Sequence, residues 1–68
     1  MNIEQRRLEA YIADTEGRID IAMEGYKNAL KEGLHDRRRH AYLNRADSFV
    51  RKLVLAREKL YTIQASQG

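Results

Sequence analysis

Two apolar stripes of identical spacing lie on either side of one short turn segment, and no other feature limits the possible folds as strongly. The first runs through Leu8, Ile12, Thr15, Ile19, Ala22, Tyr26 and Ala29, the second through Tyr42, Ala46, Phe49, Leu53, Ala56, Leu60 and Ile63. Both step alternately by four and three residues, the seam of a helix that packs along its length on another helix. Between them stands Glu32-Gly33-Leu34-His35-Asp36. Gly33 suits the left-handed position that ends a helix, and Leu34 can pack back on the last turn. Asp36 suits the N-cap of the second helix. At the front, Asn2 with Gln5 three residues later has the spacing of a capping box.

These signals predict one helical-hairpin domain over residues 1–68. Helix one covers about 3–32, the turn 33–36, helix two about 37–64, and residues 65–68 form a frayed tail. Gly17 and Gly25 lie inside helix one, each costing about 1 kcal/mol relative to alanine. The seam keeps its phase through both, so a single helix is expected, with Thr15–Gly17 the place where it would kink.

A short turn makes the helices antiparallel. With Leu34 as pivot, the seams meet as Leu8–Leu60, Ile12–Ala56, Thr15–Leu53, Ile19–Phe49, Ala22–Ala46 and Tyr26–Tyr42. Two of the six layers, Ile12–Ala56 and Thr15–Leu53, set a large residue against a small one, as close packing favours.

The flanks of this seam differ. One carries Met23 and Leu30 opposite Val50 and Leu43, with Val54 and Tyr61 widening the stripe on helix two and Glu16 placed to pair with Arg57. A two-helix hairpin has nothing to cover such a flank, and contiguous exposed apolar patches mark contact sites. At 68 residues a single core supplies only about 3–5 kcal/mol. The chain has no cysteine, hence no disulfide or thiolate–metal staple. The predicted fold class is therefore all-α: an antiparallel, coiled-coil-like two-helix hairpin that dimerises into a four-helix bundle through Met23, Leu30, Leu43, Val50 and Val54.

The other flank bears Arg38, Arg45, Lys52 and Lys59, one cation per heptad. Helix one faces them with Glu32, Gly25, Arg18 and Tyr11, so only Glu32 matches in sign, and Arg18 and Lys52 should repel. The charge balance agrees. Residues 1–33 hold five Lys/Arg against seven Asp/Glu, residues 34–68 eight against three. Arg37, Arg38 and Arg39 open helix two, where the helix dipole mildly disfavours cations. They read either as a solvated charge run or as an anion site of Arg forks and free N–H groups.

Catalytic and metal chemistry find no support. His35 and His40 are five apart, off a common helical face, with no cysteine or aligned carboxylate to complete a ligand set. Asp14, Glu16 and Asp20 form the outer face of helix one. Ser48 and Ser66 lack a histidine and acid at a usable spacing, and a two-helix chain offers no deep pocket. No enzymatic activity, cofactor, metal or small-molecule substrate is expected. No run approaches the ~18–20 apolar residues of a membrane span, and the opening MNIEQRRLEA lacks the apolar core of a signal peptide. A cytoplasmic protein without a membrane partner is expected.

The functional expectation is a small non-catalytic interaction protein of the regulatory, accessory or inhibitor kind met in bacteria and their phages. It would bind a larger acidic protein through Arg37, Arg38, Arg39, Arg45, Lys52 and Lys59. One alternative is binding of an RNA or DNA backbone by the same face, with Tyr11 beside Lys59 as the best exposed stacking residue. Tyr26 and Tyr42 belong to the core. Few aromatics, a net charge of only +3 and the absence of a helix-turn-helix or RNA-binding signature count against it. A second alternative is a structural subunit of a larger, possibly phage, assembly whose other chains cover the apolar flank.

Overall fold

The computed structural model describes residues 2–33 and 35–67, which form two long helices packed side by side. Helix α1 spans Ile3–Glu32. Asn2 caps it from extended backbone, its Oδ1 accepting the Glu4 N–H at 2.9 Å. Gln5 does not complete a capping box. Its amide instead donates to the Glu9 carboxylate one turn on, at 3.4 Å. The helix is continuous through Gly17 and Gly25. It ends at Gly33, whose φ of 66° is the left-handed conformation that only glycine adopts freely. The Gly33 N–H donates to the carbonyls of Ala29 and Leu30. The expected packing of Leu34 on this last turn, and its place as pivot, lie outside the described residues.

Helix α2 spans Asp36–Gln67, longer at both ends than the sequence pattern predicts. Asp36 is not the N-cap. His35 precedes the helix, its carbonyl accepting from the N–H groups of Arg38 (2.9 Å) and Arg39 (3.3 Å), and its Nδ1 accepting from that of Arg37 at 3.3 Å. The histidine ring thus takes the role usual for a short polar side chain. Asp36 becomes the first helical residue and pairs with Arg39 one turn along. At the far end, the tail expected to fray from residue 65 is helical through Gln67. No proline or glycine interrupts it, and the Ser66 hydroxyl donates to the Ile63 carbonyl three residues back at 2.8 Å.

All fourteen seam residues are buried or half-buried, so the two stripes do face each other. Three contacts across the helices set the register. Arg57 Nη2 donates to Glu16 Oε1 at 3.0 Å. Arg18 and Lys52 approach the same Phe49 ring, 6.0 and 5.8 Å from its centroid. The Tyr42 ring lies directly over Gly25. All agree with an antiparallel pair pivoting near residue 34. Arg18 and Lys52, expected to repel, share the Phe49 ring as a cation–π partner, and Asp14 pairs with Arg18 at 2.9 Å.

The core is narrow. Its buried apolar residues are Ala22, Ala29, Ala46, Leu53 and Ala56, and among the described residues no large side chain is fully enclosed. Small residues let the helix axes approach, but they remove little apolar surface from water at ~25 cal/mol per Å². Thr15 is the buried polar exception, 2% exposed, and its hydroxyl donates to the Tyr11 carbonyl at 2.7 Å. One further three-residue step back from Tyr42 extends the second stripe to Arg39. There Arg39 is half-buried and its Nε lacks a hydrogen-bond partner. The molecule measures 51 × 15 × 13 Å with a radius of gyration of 15.6 Å, against about 11 Å for a compact domain of this length.

Candidate interaction surfaces

Because the hairpin is only two helices wide, every residue off the seam is near solvent, and the possible sites are its two long flanks. On the first, Met23 and Leu43 are half-buried beside the seam. Leu30, Val50 and Val54 remain 45%, 41% and 48% exposed, and Tyr61 more so. The Glu16–Arg57 ion pair borders this flank. It sits in the same heptad row as Met23 and Leu30 on α1 and as Leu43 and Val50 on α2, so the ion pair confirms that these residues share one side.

On the opposite flank, Arg38, Arg45, Lys52 and Lys59 recur every seventh residue, about 10.5 Å apart along α2. Among the described residues none of the four makes a salt bridge, and Glu32 does not pair with Arg38. A line of shallow open depressions runs beside them where the helices meet. Its successive linings are Arg38, Ala41, Tyr42 and Arg45; then Arg18, Ile21, Ala22 and Phe49; then Tyr11, Asp14, Thr15 and Lys52; then Leu8, Leu55, Ala56 and Lys59. A last depression reaches Glu4, Glu58, Thr62 and Ile63. The cations therefore border a furrow with an apolar and aromatic floor.

The six basic residues singled out from sequence do not act as one group. Arg38, Arg45, Lys52 and Lys59 line the furrow. Arg37 is exposed and sits in the outermost row of α2, away from it. Arg39 occupies the seam position and is bound to Asp36. Tyr11 does stand beside Lys59, as expected. The residues that the sequence pattern missed are Ile21 and Leu55, which lie on this basic side and are 73% and 62% exposed. Both flanks thus present apolar surface, and what distinguishes them is charge.

Among the described residues no group of His, Asp and Glu is placed to hold a metal ion, and no helix is long and apolar enough to cross a membrane. The chain matches no family model, no curated protein and no solved structure.

Proposed function

We propose that this chain is a non-catalytic interaction module. It associates with a second copy through Met23, Leu30, Leu43, Val50 and Val54 and engages an acidic protein partner through the furrow bordered by Arg38, Arg45, Lys52 and Lys59. The observation that carries this reading is the amount of surface a single hairpin leaves in water. It exposes 5515 Å², whereas a compact monomer of 8.0 kDa exposes about 4,450 Å². The excess, roughly 1,000 Å², exceeds the ~800 Å² per partner that a standard interface buries. Pairing the apolar flanks of two hairpins would complete a four-helix bundle. It would leave the cationic flanks outside, where like charges repel least and a partner has access. A regulatory, accessory or inhibitor role, acting by occupancy of a partner, suits a module of this size.

Capture experiments separate a protein ligand from a nucleic acid. Immobilised hairpin is exposed to lysate with and without nuclease, beside the Arg38→Glu/Arg45→Glu/Lys52→Glu variant. Retention of an acidic protein that survives nuclease and disappears in the variant supports the reading. Retention abolished by nuclease replaces it with backbone binding of RNA or DNA.

A further inference from the structure

We infer that the basic furrow is a docking groove for one acidic amphipathic helix of a partner protein, lying along α1 and α2 as a third helix. This rests on the acidic-partner reading and specifies the form the partner takes. The floor is apolar: Tyr42 and Phe49 are half-buried there, Ala56 is buried, and Ile21 and Leu55 stand exposed at the edges. A helix brings an apolar stripe to such a floor. A phosphate backbone does not.

The charges match in period as well as in sign. Arg38, Arg45, Lys52 and Lys59 place one cation per heptad over about 31 Å of helix. A helix with one carboxylate per heptad along one edge carries charge at the same interval, and a partner packed in coiled-coil fashion keeps that interval in phase. Duplex DNA carries one charge per ~1.7 Å, or about 18 over the same length, far more than four cations answer. Asp14 and Glu4 also stand within the furrow. They oppose any anion placed on them, so a phosphate chain with a charge at every step meets them unavoidably, whereas a helix with one carboxylate per heptad can set its apolar residues there. The outermost row of the chain's own α1, Ala10, Gly17, Glu24 and Lys31, is not such a stripe.

The test titrates labelled probes into the full chain and reads anisotropy. The probes are a three-heptad peptide with a leucine seam and one Glu edge, the same composition shuffled out of heptad order, the peptide with Lys for each Glu, and a duplex RNA of equal length. Saturable binding of the Glu peptide is expected, with shuffled and Lys peptides at least tenfold weaker. The Arg45→Glu/Lys52→Glu variant is expected to reverse the preference and take the Lys peptide. Circular dichroism checks its fold, and Arg38→Glu/Lys59→Glu carries the same reversal if that variant loses helicity. Equal binding of the shuffled peptide overturns the helix inference and leaves the acidic-partner reading standing. Failure of both acidic peptides overturns both. Tighter binding of the RNA than of the Glu peptide overturns the inference in favour of nucleic acid.

Discussion

The Tyr42 ring fills the space that Gly25 leaves open: a Cβ at residue 25 would lie 2.6 Å from Tyr42 Cε1 and 2.8 Å from Cδ1. Nothing lies within 4 Å of the same position on Gly17. One chemical change should therefore have opposite effects at two sites on one helix. Gly17→Ala is expected to stabilise the hairpin by about 0.5–1 kcal/mol, the ordinary helix-interior gain. Gly25→Ala is expected to destabilise it, because overpacking costs about 1–3 kcal/mol and outweighs that gain. Urea unfolding of both variants reads the signs, and adding Tyr42→Leu should recover stability in the Gly25 variant alone.

How far the sequence reveals the structure is clear from this pair. Heptad spacing places Glu16 across from Arg57, but it sets Gly25 opposite Arg45 and Tyr42 opposite Tyr26. It does not give the distance between helix axes, so the need for glycine at 25 emerges only when the helices are packed. The same limit hid Ile21 and Leu55. Each stands off the seam as a single apolar residue among charges, and only the closed hairpin brings them to the edges of one furrow. Arg39 was legible in principle. One more three-residue step back from Tyr42 reaches it, but an arginine at a seam position does not register as apolar. The cap at α2 escaped because Asp36 is the better capping residue by type, yet the turn ends one residue sooner.

His35 is a weak cap, its ring nitrogen 3.3 Å from the Arg37 N–H. A short anionic side chain would reach the same N–H and would also answer the helix dipole and the nearby arginines. His35→Asp is expected to raise stability by about 0.5–1 kcal/mol, and His35→Ala to lower it by about 0.5 kcal/mol. Thermal unfolding followed by circular dichroism distinguishes the two signs.

Thr15 bonds its own helix. Its hydroxyl donates to the Tyr11 carbonyl and contributes nothing across the seam to Leu53. Valine keeps the branched shape and removes a buried polar atom, so Thr15→Val is expected to be within about 1 kcal/mol of the native chain. Thr15→Asp buries a carboxylate in the same layer and is expected to cost more, about 3 kcal/mol or above. Denaturant midpoints at equal slope provide the comparison.

The Glu16–Arg57 pair is about half exposed on both sides. Its contribution is expected to be small, a coupling of about 0.2–1 kcal/mol in a double-mutant cycle. That coupling should shrink as salt is raised. Its larger value is geometric, since it fixes which flank holds Leu30 and Val50.

Sedimentation velocity at micromolar concentration tests most directly whether this flank is built for association. The native chain is expected to sediment as a dimer at twice its 8.0 kDa mass, and Leu30→Glu/Val50→Glu to sediment as a monomer with reduced helicity. A native chain that sediments as a fully helical monomer would contradict the account.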